Sequence, residues 1–102
     1  MIAQADEVIH QSTRLKIMAA LDSDPDRAPL DFMRLKAVAG ATDGNLGAHL
    51  STLENAGYIA IEKLPNGKRF RTLVTMTPTG RDAFRGHIAY LQDILDAVRS
   101  PG

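Results

Sequence analysis

Only Gly40, Ala41 and Thr42 separate two segments with helical periodicity, LDFMRLKAVA and DGNLGAHLSTLEN. A joint that short forces both apolar stripes into one shared corner, and its residues say where each helix stops and starts. Gly40 suits a left-handed helix end, Thr42 offers a hydroxyl to cap the next helix, and Asp43 sits favourably in its first turn. In the second segment Leu46, Leu50 and Leu53 recur at spacings of four and three, and Gly57 suits the position just past the end. In the first, Phe32 or Met33, Leu35 and Val38 make the apolar face. Two helices joined by a short glycine-containing turn form a helix-turn-helix, and the rest of the chain has to be built around it.

Upstream, Val8, Ile9, Leu15, Met18 and Leu21 keep helical spacing from about Ala3 to Leu21. Ser12 or Thr13 can cap a break inside this stretch, which leaves one helix or two open. The run DSDPDRAP ends it, because Pro25 and Pro29 disfavour helix in the residues before them. Asp22, Asp24 and Asp26 in that run have the alternate spacing of a calcium loop. Arg27 and Met33 stand where such a loop needs glycine and glutamate, so the run reads as a solvated turn.

Downstream, YIAIEKL and KRFRTLVTM are strand-like and are joined by PNG, where Asn66-Gly67 predicts a type I′ hairpin. Alternation places Arg69 and Arg71 on one side and Phe70 on the other, giving a basic face and an apolar one. Thr77-Pro78 then reads as a cap followed by proline at the first helical position. In the final helix Phe84, Ile88, Leu91, Leu95 and Val98 form one seam, and Ala83, His87, Tyr90, Ile94 and Ala97 form a second beside it. A face that wide exceeds what a small domain covers by itself, and pairing with a second copy is the economical explanation.

The chain has 102 residues and zero net charge, but the charge is unevenly spread. Residues 1–62 hold five basic groups against nine acidic, a net of −4, while residues 63–85 hold six basic against Asp82 alone, a net of +5. With no cysteine, disulfides, thiolate metal sites and cysteine nucleophiles are excluded. His10 and His87 have no ligand partner at metal spacing and read as packing or interface residues. No nucleophile stands beside a base and no phosphate-binding glycine loop follows a strand, so an enzyme is not expected, nor is a cofactor or a metal. MIAQADEVIH lacks the basic start and apolar run of an export signal, and no stretch is apolar enough to span a membrane, so the expected location is cytoplasmic.

The order helix, helix, turn, helix, basic hairpin, closing helix is that of a winged helix. Residues 10–90 resemble the small stand-alone winged helix regulators related to the MarR and ArsR groups. The resemblance is carried by His10, Arg14, Leu15, Ile17 and Met18, by the stretch from Thr42 to Ile59, by NGK at the wing, by Arg71-Thr72 and by Thr77 to Arg81. It implies a mainly α fold with a small β-hairpin (α+β) and with N- and C-terminal dimerisation helices. It also implies one domain over residues 1–102, with the helix-turn-helix at about 30–57, the wing at about 58–76 and the dimerisation helix at about 78–98.

The function implied is a sequence-specific DNA-binding transcriptional regulator, read as a repressor, that acts as a homodimer on pseudo-palindromic operators in double-stranded DNA. The recognition-helix contacts carry over to Thr42, Asn45, Gly47, Ala48, His49, Ser51 and Thr52. Such regulators generally have serine where Gly47 stands and often a long polar side chain where Ala48 stands. Backbone contacts fall to Lys63, Lys68, Arg69, Arg71 and Arg81, with Arg34 and Lys36 as further candidates. The dimer interface falls to Phe84, His87, Ile88, Tyr90, Leu91, Ile94, Leu95 and Val98. For His49 a packed ring bonded to the backbone and a DNA contact are equally open. The competing reading is a protein-interaction module that uses the small-residue face of Gly44, Gly47, Ala48 and Ser51.

Overall fold

The structure, a computed structural model, describes residues 3–99. The N-terminal periodicity resolves into two helices, α1 (Glu7–His10) and α2 (Ser12–Ser23). Neither Ser12 nor Thr13 makes the break. Gln11 is extended, and its side chain reaches forward to accept the Arg14 N–H at 2.9 Å, doing the work usually left to a shorter cap. Asp6 caps α1 by accepting from Val8 and Ile9. In the aspartate run, the Asp24 carboxylate accepts the Asp26 N–H at 2.9 Å, closing the turn locally.

The segment after this loop holds a strand that sequence reading missed. β1 (Leu30–Asp31) precedes α3 (Phe32–Ala39) and α4 (Asp43–Asn55), which are followed by β2 (Ile59–Asn66), β3 (Arg69–Met76) and α5 (Pro78–Arg99). The sheet therefore has three antiparallel strands in the order β1-β3-β2 rather than a hairpin alone, with Leu30 opposite Val74 and Asp31 opposite Leu73. Two residues are too few to show alternation, and their pairing is set by β3.

The helix-turn-helix joint has the expected ends. Gly40 adopts the left-handed conformation with φ +63°, and its N–H donates to the Lys36 carbonyl. Thr42 Oγ1 accepts the Asn45 N–H. At the far end of α4, Tyr58 N–H donates to the Leu53 carbonyl and Gly57 N–H to that of Glu54, with Gly57 at φ +81°, which completes a Schellman cap. Leu46, Leu50 and Leu53 are buried with Ile9, Ile17, Met18, Leu35, Val74 and Phe84 in one core. On α3 the buried face is Leu35 and Ala39 with Phe32 packed against the core, as expected for Phe32 and Leu35, whereas Met33 and Val38 are exposed and Ala39 takes the place expected for Val38.

The hairpin turn also differs from expectation. Asn66 pairs with Arg69, which leaves Gly67-Lys68 as the two central residues. Only Gly67 has positive φ, at +67°, so the sign pattern is that of type II′ instead of I′. Register is set by buried Ile59 opposite Met76, and Asn66 is thereby drawn into the strand.

α5 begins where expected. Thr77 Oγ1 accepts the Gly80 N–H at 3.0 Å and donates to the Gly57 carbonyl at 2.6 Å, tying the start of α5 to the end of α4. Gly80 is packed so closely on Tyr58 that a β-carbon would lie 2.0 Å from the Tyr58 carbonyl oxygen. Among the described residues, no helix is long and apolar enough to cross a membrane.

Candidate nucleic-acid interface

The outward face of α4 exposes Gly44, Asn45, Ala48, Ser51, Thr52 and Asn55. A β-carbon at Gly44 or Gly47 would meet nothing within 4 Å, and neither glycine has positive φ, so the chain's own packing does not require either of them. Their effect is to keep the outside of the helix flat.

Several polar groups assigned to this face are already engaged. Thr42 Oγ1 is the cap, and Thr52 Oγ1 donates to the Ala48 carbonyl at 3.2 Å. His49 is half-buried, with Nδ1 3.0 Å from Arg14 Nη1; arginine can only donate, so Nδ1 accepts and the ring proton belongs on Nε2. The same guanidinium donates through Nε to the Val8 carbonyl. Arg14 thus joins α1, α2 and α4, and the partner of His49 is a side chain of the core scaffold rather than the backbone. Among the described residues, Asn45, Ser51 and Asn55 keep side-chain groups without an internal partner. Asp43, which would repel a phosphate at the helix start, is paired with Lys36 at 2.7 Å.

The wing extends this surface with charge. Lys63, Lys68 and Arg69 are exposed and form no ion pair among the described residues. Arg71 is exposed and reaches the Asp31 carboxylate at 3.5 Å, a long and weak contact. Strand parity fixes which side each faces. Val74 and Met76 are buried, so Thr72 and Phe70 share the core-side face with Lys63, the partner of Thr72. A cleft of about 460 Å³ on that side is lined by Gly47, Ser51 and Glu54 of α4 and by Lys63 and Thr72 of the wing. Arg69 and Arg71 stand on the opposite face. The basic and apolar faces exist as expected, but the apolar one lies on the side of α4 and is not covered: Phe70 is 69% exposed.

Arg81 requires correction as a phosphate contact. It is 9% exposed, since its spacing of three from Phe84 places it on the buried stripe of α5. That spacing was visible in the sequence. Phe84 and His87 likewise belong to this chain's interior, not to a free surface, at 6% and 1% exposure. Further along α5, Tyr90 and Leu91 are half-buried and Ile88, Ile94, Leu95 and Val98 are exposed.

His87 anchors the N-terminal segment. Its Nδ1 accepts the Asp6 N–H at 3.0 Å, its ring stacks on Tyr90 and meets His10 edge-on, and its buried Nε2 has no partner among the described residues. Burial, and secondarily the neighbouring His10, hold its pKa below the ordinary value of 6.5. Beside it the Tyr58 hydroxyl donates to Asp6, which together with burial pushes the Tyr58 pKa up to about 12. Sequence reading missed this cluster, because Asp6, Tyr58 and His87 share no periodicity.

A model of the winged helix DNA-binding domain matches residues 13–95. An uncharacterised protein of Methanocaldococcus jannaschii is 33% identical over 82 residues, covering 80% of this chain and 86% of that relative. Among solved structures, a transcriptional regulator homologue from Pyrococcus horikoshii OT3 superposes with a TM-score of 0.80 at 26% identity, covering 93% of this chain and 91% of that one. Sco3205, a MarR family transcriptional regulator from Streptomyces coelicolor in complex with DNA, gives 0.64 at 21% identity, covering 94% of this chain and 67% of that one, a likeness of fold. With α4, the wing and α5 arranged as described, the chain belongs to the winged helix DNA-binding domain family and has the fold of MarR-like transcriptional regulators.

Proposed function

We propose that this protein is a homodimeric, sequence-specific DNA-binding regulator that represses by occupying pseudo-palindromic operators in the cytoplasm, acting by binding and not by catalysis. The observation that carries the reading is the pairing of a capped, flat, uncharged α4 face with an exposed cationic wing. The helix fits closely into a major groove, with Asn45, Ser51 and Asn55 as its polar readers, while Lys63, Lys68, Arg69 and Arg71 neutralise phosphates. Base discrimination by α4 is modest, because Gly47 and Ala48 offer no side-chain hydrogen bond and Thr42, His49 and Thr52 already have internal partners.

The dimer reading is supported by the outer half of α5, where Ile88, Ile94, Leu95 and Val98 are uncovered at 41%, 43%, 45% and 80% exposure. Two copies joined along this half would present two α4 helices, matching half-sites about 34 Å apart. Selection of bound fragments from genomic DNA tests both parts, and one enriched palindrome is the expected result. Light scattering on Leu95→Glu tests the interface separately. Wild type is expected to be a dimer and the variant a monomer; a wild type monomeric at micromolar concentration overturns the interface.

A further inference from the structure

We propose that Phe70 is an apolar wedge that enters the minor groove and selects duplexes carrying a deformable pyrimidine–purine step beside the α4 site. The inference rests on the DNA-binding reading above and adds to it a residue and a DNA feature. Phe70 is the second residue after the Gly67-Lys68 turn, directly opposite Pro65, so the wing tip carries an aromatic ring paired with a proline. It is 69% exposed and lines an open hollow of about 500 Å³ with Phe32 and Met33 of α3. It lies four residues beyond buried Val74 on the same strand face, about 13 Å further out at the usual rise per residue. That is the side occupied by α4, where a duplex seated on the helix would pass.

The surroundings favour a polyanion over a protein as the covering partner. Lys68, Arg69 and Arg71 lie within two residues of Phe70, and Arg69 and Arg71 project from the opposite strand face. Protein interfaces accept arginine but deplete lysine, and residues 63–71 carry four basic groups, two of them lysines, with no acidic one to balance them. An aromatic ring backed by cations on the other face of its strand instead suits a groove, where the ring meets the bases and the cations meet a phosphate wall. Apolar side chains inserted between base steps unstack and kink them, and pyrimidine–purine steps yield most readily. A wedge would also add sequence discrimination to the modest reading by the uncharged α4 face.

The test uses the full chain, a random pool of 30-base-pair duplexes and three proteins: wild type, Phe70→Ser and Phe70→Leu. Wild type is expected to enrich a TA or CA step at a fixed offset from the α4 contacts by about tenfold over other steps, and to shorten the end-to-end distance of a fluorophore-labelled duplex. Phe70→Ser is expected to keep the slope of log affinity against log salt, lose the step preference to within about twofold and leave the duplex straight, while Phe70→Leu retains part of both effects. The thermal midpoint of Phe70→Ser should equal that of wild type. Equal step preference and equal bending in Phe70→Ser overturn the wedge. So does a lowered midpoint, which would make Phe70 a packing residue, or dissociation of the dimer in that variant, which would make it a protein contact. Absence of DNA binding by wild type at low salt overturns the DNA-binding reading itself.

Discussion

Replacing Gly47 with alanine is expected to move stability and DNA affinity in opposite directions. Gly47 is the fifth residue of α4, is not in a left-handed conformation, and a new β-carbon there would meet nothing within 4 Å beyond its chain neighbours and the backbone of its own helix. Glycine in a helix interior costs about 0.8 to 1.0 kcal/mol relative to alanine, largely through the entropy of the unfolded chain. With no steric term to offset it, Gly47→Ala is expected to stabilise by about 0.5 to 1 kcal/mol, raising the thermal midpoint by about 3 to 6 °C for a domain of this size. The new methyl projects from the surface that α4 offers to the groove. Affinity for a selected operator is expected to fall about tenfold, with the salt dependence unchanged because no charge has been lost. Differential scanning calorimetry and fluorescence anisotropy at three salt concentrations read the two effects. A lowered midpoint would mean the fold itself needs the glycine, and a raised midpoint with unchanged affinity would mean the flat face meets no DNA.

Gly80→Ala is expected to be severely destabilising, by about 3 kcal/mol or more, because its β-carbon would sit 2.0 Å from the Tyr58 carbonyl oxygen and force the start of α5 off the α4–β2 turn; urea unfolding measures it, and a loss under 1 kcal/mol refutes the tight contact. His87 is held neutral by burial, so its contribution is complete above pH 6.5 and declines as pH falls through 6.5 towards its lowered folded pKa. Imidazole proton NMR should show this ring titrating below 6.5, and a midpoint at or above 6.5 contradicts the buried assignment. Tyr58 has the opposite sign, with stability complete below pH 10 and lost as pH rises towards about 12. Ultraviolet titration should show one of the two tyrosines ionising at about 12, and in Tyr58→Phe that step should vanish with a loss of about 1 kcal/mol.

Signals confined to a few residues were legible from sequence. The Thr42 and Thr77 caps, Gly40 and Gly57 as helix ends, and the leucine stripe of α4 each depend on neighbours within one or two turns, and each is present. Features decided by distant partners were not. β1 exists because β3 has an edge to pair with, Gln11 caps because the chain bends between α1 and α2, and the turn moved one residue because buried Ile59 aligns with Met76. The candidate site shows the same division. Alternation separated Phe70 from Arg69 and Arg71, but only the packing of Val74 showed which side α4 occupies. The partners of His49 and Arg71 lie at sequence separations of 35 and 40, beyond the reach of periodicity, and Lys36 meets Asp43 across the turn between two helices.

If the flat helix takes its attraction for a polyanion from the wing, affinity for a selected duplex must fall steeply between about 50 and 300 mM salt. With Lys63, Lys68, Arg69 and Arg71 each neutralising one phosphate in both copies of a dimer, the slope of log affinity against log salt is expected near −7, and Arg69→Ala should reduce its magnitude by about 2. A slope close to zero, or one that Arg69→Ala and Lys68→Ala leave unchanged, would mean that the wing does not hold the DNA backbone.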